Sequence, residues 1–389
     1  MDHTWWKKAE ELDEDQTNII NNLDINENHL IVGPPGSGKT NLLILRATYL
    51  YLLGFHNISI ITFTRILKEF MSFGVGHYDF ADDKIRTYIS WGTETLRDHG
   101  IFMEEVEGDF ETKKNSIQMA LQQLAESSKT INQQDYILLD EAQDYTKEDI
   151  YIFCKFCKRL FAVGDDDQQI YDNKGGLLAL SEICDTTSTL KYHYRNGRKI
   201  CRVADGLKGR LDAPGGMEAT SQYDEVESPS IVEVYDPKPI KDQAADIVTL
   251  LERQLLAYPN ERIGVACPRK KEVEDVWDVI KGSSVGDQSQ LQTWREGYTP
   301  FDDDKRICVT TIHGAKGVEF RALHIAGANF ISKFRAQQRN LMYTGVTRAK
   351  TSLSVHHSAN LPGYVENALS SVEPTKAPPN LADLFKGGS

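Results

Sequence analysis

Residues 33–40 read Gly-Pro-Pro-Gly-Ser-Gly-Lys-Thr and stand between the apolar run HLIV at 29–32 and the helix-forming run LLILRATYLYLL. A glycine-rich turn that leaves a buried strand and opens a helix lets backbone N–H groups converge on phosphate oxygens, at the end of the helix where negative charge is favoured. At this spacing Lys39 reaches terminal phosphates, and the Thr40 hydroxyl can ligate Mg²⁺. The loop Gly33, Pro34, Pro35, Gly36, Ser37 and Gly38 is therefore predicted to cradle a phosphorylated ligand. An ordinary glycine-rich surface turn is the competing reading, and the strand-loop-helix context argues against it.

The rest of the chain has to supply a fold for such a loop. NISIITF, DYILLD and RLFAVG are short apolar runs of the kind buried in parallel sheets, and ILKEFM after the first of them has helical spacing. The alternation resumes with SIVEVYD, a helix near 240–256, ERIGVACP, a helix near 270–281, RICVTTI, ALHIAG and LSVHHS. Alternating strands and helices predict a doubly wound α/β fold. The stretch 211–229 is polar and rich in Gly, Pro and Ser, and reads as a long surface connection between two such domains. With 389 residues and 40% hydrophobic content, the chain has enough apolar material for two cores.

Charge and cysteine usage narrow the function classes. Lys and Arg number 44 against 57 Asp and Glu, a net charge of −13. That balance excludes a wholly basic coat for nucleic acid, so any polyanion must be met by a local patch. The start, MDHTWWKKAEEL, lacks the apolar core of a signal peptide, and no run approaches the roughly 18 apolar residues of a spanning helix. A soluble intracellular (cytoplasmic) protein without membrane contact is expected. Cys154 and Cys157 have no second pair at zinc-like spacing and read as packed thiols.

Two further stretches complete the chemistry of the loop. In LLDEAQD, Asp140 ends an apolar strand where its carboxylate can hold Mg²⁺, and Glu141 can orient or deprotonate an attacking water. GDDDQQIY leaves the run Leu160–Val163 and presents carboxylates and amides together. In a parallel sheet all three strand ends share one carboxyl edge. Gln168 then lies near the terminal phosphate as a neutral amide, with the aspartates as caps or outer support of a metal.

GPPGSGKT, TFTR at 62–65, LLDEAQD, GDDDQQIY, HYR at 193–195, TIHGAKGVEF at 311–320 and YTGVTRAK at 343–350 occur in the order found in superfamily 1 DNA helicases of the UvrD/Rep/PcrA type. LDEDQ at 12–16 resembles that family's adenine-reading glutamine motif. The resemblance spans residues 12 to about 356. It implies two RecA-like domains with ATP and Mg²⁺ in the cleft between them: 1–190 as the ATP-binding domain with a reduced insertion at 100–134, 191–370 as the second domain, and 371–389 as a flexible tail. It further implies that Gln16 bonds the adenine edge, Tyr194 stacks on its ring, and Gly317 and Glu319 lie near phosphate and ribose. Arg195 and Arg348 reach the γ-phosphate from the second domain, and Gln168 couples hydrolysis to DNA.

Movement on a strand follows if two bodies grip it with alternating strength, and such grips use stacking aromatics and phosphate contacts. The expected grips are Phe63, Arg65, Tyr88, Trp91, Lys174 and His313, with the basic cluster at 195–210 and Lys333, Arg335 and Arg339 as extensions. Trp91 reads equally as a core aromatic, and the basic residues as a solvated face. Where the family continues Gly-Trp-Arg-Gly, this chain has Asp172-Asn173-Lys174-Gly175, and Asn41 stands where Arg is usual. The accessory insertions are short. A DNA-dependent ATPase and translocase on single-stranded DNA, or at a single/double-strand junction, is expected, with a protein partner supplying duplex or nuclease function. An ATP-gated DNA-binding subunit of a repair or anti-phage complex is the alternative. Leu381–Phe385 resembles a sliding-clamp peptide.

Overall fold

The structure, a computed structural model, describes residues 11–75, 80–104, 110–127, 133–165, 175–293, 302, 304–331 and 336–372. Among the described residues, twelve strands fall into two sheets. The first holds β1 (His29–Val32), β2 (Ile58–Thr62), β3 (Ile85–Thr87), β4 (Gln134–Leu139), β5 (Cys157–Gly164) and β6 (Thr186–Thr189), in the order β3-β2-β4-β5-β1-β6. The second holds β7 (Ile231–Val234), β8 (Ile263–Cys267), β9 (Ser289–Gln292), β10 (Ile307–Thr311), β11 (Phe320–Ile325) and β12 (Ala349–Val355), in the order β7-β12-β11-β8-β10-β9. Every pairing in both sheets is parallel. The doubly wound α/β architecture is thus present twice.

Period-two alternation explains why the apolar runs read as continuous. Leu30 of β1, Ile137 and Leu139 of β4, and Leu160 and Ala162 of β5 face one buried cluster. Ile31, Tyr136, Leu138, Phe161 and Val163 face another. A parallel strand covered on both faces must be apolar at both parities. β3 and β6, absent from the sequence reading, are the outermost strands of the first sheet. β6 is Thr-Thr-Ser-Thr with alternating exposure, so it carries no apolar run to find.

The cluster on the second face of the first sheet does not end with that sheet. It runs on through Leu67 and Leu190 to Ile200, Phe320, Tyr343 and Leu353 of the second sheet and its helices. Helix Arg198–Lys208 packs on β12 and β7 and on helices Ala336–Val346 and Gly363–Ser370. A Cβ on Gly317, which sits at φ 82°, would collide with the Leu67 side chain. Apolar contact therefore joins the two halves.

The stretch 211–229 is not a plain surface connection. Helix Met217–Thr220 folds back with Met217 and Thr220 buried. Both Asp205 carboxylate oxygens accept from its first amides, those of Met217 and Glu218, at 2.9 Å. That buried carboxylate, carried by helix Arg198–Lys208, caps the start of the short helix. Within 100–134 the described part is helix Phe110–Ser127, which lies against helix Tyr88–Asp98 where Gly92 leaves no room for a side chain: a Cβ there would meet Ile117 at 2.5 Å. The stretch 371–389 lies, apart from its first two residues, outside the described residues, as does the expected clamp peptide Leu381–Phe385.

Burial holds three histidines neutral. His193 donates through Nε2–H to the Met217 carbonyl, 2.7 Å away, and burial lowers its pKa to about 4. His324 pairs with Gln254 at 2.8 Å and is lowered to about 3, and His356, stacked on Tyr235, to about 4. As pH falls below about 6.5 the unfolded chain takes up protons that the folded one refuses. Stability is therefore full above that pH and declines toward pH 4, by up to about 1.4 kcal/mol per pH unit for each ring. His324→Gln keeps a partner for Gln254 and should make the decline measured by urea denaturation shallower by up to about that amount; an unchanged slope would show the native ring taking up the proton.

Candidate functional site

Three strand ends of the first sheet meet at one carboxyl edge. β1 leads into the loop 33–38, β4 into Asp140 and β5 into Asp165. Gly36 and Gly38 adopt φ 78° and 85°, the left-handed region that L side chains avoid, and Gly38 caps helix Lys39–Leu52. Lys39 Nζ donates to the carbonyls of Gly33 at 2.6 Å and Pro34 at 2.8 Å, and stands 3.8 Å from Asp165 Oδ2. Burial pulls its pKa down, while Asp165, Glu141 and Asp140 oppose that.

Thr40 and Asp140 meet as the sequence predicts, Thr40 Oγ1 donating to Asp140 Oδ2 at 2.9 Å. Asp140 Oδ1 accepts from the Glu141 amide at 2.8 Å. Burial and the neighbouring Glu141 charge raise Asp140 to about 7. Glu141 sits at φ 50° and ψ 47°, a conformation that non-glycine residues reach at a cost and that gathers at functional sites. Burial would push its carboxyl up, yet Lys316, Arg348 and Lys39 outweigh it and hold the group below the usual range. Gln143 links the two strand ends: its Nε2 donates to Glu141 Oε2, and its Oε1 accepts from the Asp165 amide.

Cations arrive from beyond the first sheet. Arg195 is 8% exposed and covers the loop: a Cβ on Gly36 would lie 2.8 Å from Arg195 Cβ and 3.2 Å from its Nε. Its Nη1 pairs with Glu319, which precedes β11. Arg348 is buried, anchored through Nε to the Thr344 carbonyl at 3.1 Å, and its charge acts on Glu141 and Asp165. Burial and Arg348 push Arg195 well below its ordinary value. Arg195, Arg348, Glu141 and Lys39 are thus brought together. Gly317 lies one residue from the cluster, against Leu67.

Lys316 is the residue that sequence reasoning missed. It is 1% exposed, donates to both Asp144 oxygens at 2.7 and 2.6 Å, and stands 3.7 Å from Glu141 Oε2. Asp144 remains raised by burial to about 6 even so. The signal lay in the sequence: TIHGAKGVEF holds a single lysine and LLDEAQD a second aspartate. Each is ordinary in its own motif, and neither belongs to the phosphate loop.

On the base side, Gln16 and Tyr194 both reach the loop. Gln16 Nε2 donates to the Ser37 carbonyl at 3.0 Å, and the Tyr194 amide donates to the Gly36 carbonyl at 3.1 Å. The expected strand grips are not assembled. Phe63, Tyr88 and Trp91 are 3%, 0% and 1% exposed and lie in the core, which corrects the reading of them as stacking platforms: a ring must show a face to take a base. Phe63 packs edge-on to Phe110 at 5.3 Å, Lys114 Nζ stands 5.0 Å over the Tyr88 ring, and Trp91 donates to Gln134. Arg65 is exposed at the head of helix Arg65–Val75. His313 is half-buried, with its pKa lowered by burial and Lys316. In the basic cluster, Arg198 and Lys199 are exposed, while Arg202 is taken by Asp212 and Glu218. Arg339 is exposed beside Tyr364. Gln168, Lys174, Lys333 and Arg335 lie outside the described residues.

The donor set suits a magnesium nucleotide. Ser37 Oγ is buried inside the loop with no hydrogen-bond partner, a group left for a ligand to satisfy. Among the described residues no cluster of three or more His, Cys, Asp or Glu side chains suits a metal. A hydroxyl and one carboxylate, with phosphate and water for the rest, is how Mg²⁺ is commonly held.

Two family models match the chain. One, described as a UvrD-like helicase C-terminal domain, covers residues 306–356, and the other, an AAA domain, covers 16–174. No curated protein matches it. A solved structure described as the structure of PRRSV helicase is similar at 14% identity and a TM-score of 0.42, over 88% of this chain and 54% of that one. The chain spans about half the length of that protein.

Removing Lys316 takes from Asp144 its ion-pair partner and from Glu141 the first of the cations that hold its carboxyl down. Lys316→Met should lower unfolding free energy by roughly 3–5 kcal/mol, and Asp144→Asn added to it should restore much of the loss. A cost below about 1 kcal/mol in guanidinium denaturation would show that the pair carries no load.

Proposed function

We propose that the chain is a superfamily 1 helicase of UvrD type, in keeping with the UvrD-like C-terminal model over 306–356 and the AAA model over 16–174, and that it hydrolyses ATP to move along single-stranded DNA. The observation that carries this reading is the seating of Arg195 over a phosphate loop it does not belong to, with the buried Arg348 charge acting on Glu141 and Asp165 beside it. Lys39 and the loop amides bind the phosphates. Thr40 and Asp140 would hold Mg²⁺, which when bound neutralises phosphate charge and helps orient the nucleotide. Glu141 orients the water and accepts its proton. Arg195 exchanges Glu319 for the charge that develops on the transferring phosphoryl group, and Arg348 supports it. Gln168 senses the terminal phosphate. A guanidinium from a second body makes closure depend on nucleotide, so hydrolysis reopens the seam.

We assign 1–190 to the ATP-binding lobe and 191–370 to its partner lobe. Arg65, Arg198 and Lys199 are exposed and supply phosphate contacts to the strand, with a further protein supplying duplex or nuclease function. A second reading, nucleotide-gated binding without movement, is favoured by one observation: the three aromatic grips expected of the first lobe are buried.

Steady-state ATP hydrolysis with and without single-stranded DNA tests the proposal. Stimulation of at least about tenfold is expected, and Lys39→Ala should lower turnover by at least about a hundredfold. Activity indifferent to DNA would overturn it. Displacement of streptavidin from a biotinylated strand end is expected for movement and absent for gated binding.

A further inference from the structure

The segment 194–196 lies against the phosphate loop. The Tyr194 amide donates to the Gly36 carbonyl at 3.1 Å, and a Cβ on Gly36 would stand 2.8 Å from Arg195 Cβ and 3.1 Å from Asn196 Oδ1. Asn196 is wholly buried. Its Nδ2 donates to the carbonyls of Thr347 at 2.9 Å and Ala349 at 2.6 Å, the two that flank Arg348, and its Oδ1 accepts from Arg195 Nε at 3.4 Å. One side chain therefore touches both arginine-bearing segments.

The amide is matched to this place. A carbonyl only accepts and a guanidinium N–H only donates, so the group between them needs two donors on one side and an acceptor on the other. A carboxylate lacks the donors, and a hydroxyl has one. The surrounding backbone completes the grip: the Phe320 amide donates to the Arg348 carbonyl at 2.9 Å, and the Gly197 amide to the Lys350 carbonyl at 2.8 Å. Successive carbonyls from 347 to 350 are thus held, two of them by Asn196 alone. The backbone bonds fix where the Arg348 side chain starts, and the bond from its Nε to Thr344 fixes its course.

We propose that Asn196 is a positioning residue that sets Arg195 and Arg348 in register with one another, so that both guanidinium groups are in place before the phosphoryl group transfers. Cations already in position cost no rearrangement at that moment, and a misplacement of about 1 Å can lower a rate roughly a hundredfold. The inference rests on the hydrolysis reading above and deepens it by naming the group that holds the two arginines.

Steady-state ATP hydrolysis by the full chain with saturating single-stranded DNA, read beside equilibrium binding of fluorescent mant-ADP with Mg²⁺, tests it. Asn196→Ala should lower kcat by roughly a hundredfold and change the mant-ADP Kd by less than about threefold. Added to Arg348→Ala, the same substitution should lower kcat by less than about tenfold more, because one of the two groups it positions is gone. Asn196→Ser keeps a single donor and should lose roughly tenfold, shrinking to below about threefold beside Arg348→Ala; it carries the comparison if the alanine variant does not fold. Loss of kcat below about threefold in the folded variant, or a loss undiminished beside Arg348→Ala, overturns the inference and leaves the proposed function standing. A parent chain whose hydrolysis ignores DNA overturns the proposed function instead.

Discussion

A cluster of buried charge at the seam between the two sheets governs the rest of the structure. Asp140, Glu141, Asp144 and Asp165 come from the first sheet's carboxyl edge, and Arg195, Lys316 and Arg348 come from beyond it. Each is nearly or wholly out of water, where an unpaired charge costs several kcal/mol. Neither set is tolerable alone at that burial, so the lobes must meet or water must enter. One of those cations, Arg195, also stands over the phosphate loop. Holding the lobes together and completing the chemical site are therefore one arrangement.

Much of this was legible in the sequence because its physical causes are local. The loop needs glycines at φ 78° and 85°, a lysine and a hydroxyl within one turn, and each requirement fixes a residue type at a spacing. Asp140 and Asp165 are legible as ends of apolar runs. The Lys316–Asp144 pair was not, because its partners are 172 residues apart and each is ordinary alone. The burial of Phe63 and Tyr88 escaped, and that of Trp91 stood only as one of two equal readings, for a related reason: whether an aromatic residue meets solvent depends on what covers it, and sequence spacing does not record that.

Trp91 packs on Phe153 and Phe156, while Phe63 and Tyr88 meet the helix Phe110–Ser127, in the stretch that looked merely shortened. Its Lys114 is 2% exposed, pairs with Asp149 at 2.6 Å and lies over the Tyr88 ring, and Gln118 also donates to Asp149. Gly92 allows the helix that close. The short insertion is thus part of the first lobe's core, and any grip on a strand falls to exposed cations such as Arg65, Arg198 and Lys199.

The central claim is that guanidinium groups from the second lobe complete a nucleotide site begun on the first. Turnover and nucleotide affinity of Arg195→Ala and Arg348→Ala, measured one at a time, test it most directly. The account predicts that each lowers kcat by roughly a thousandfold while the nucleotide Kd changes by less than about tenfold. Turnover within about threefold of the parent in either variant would contradict it.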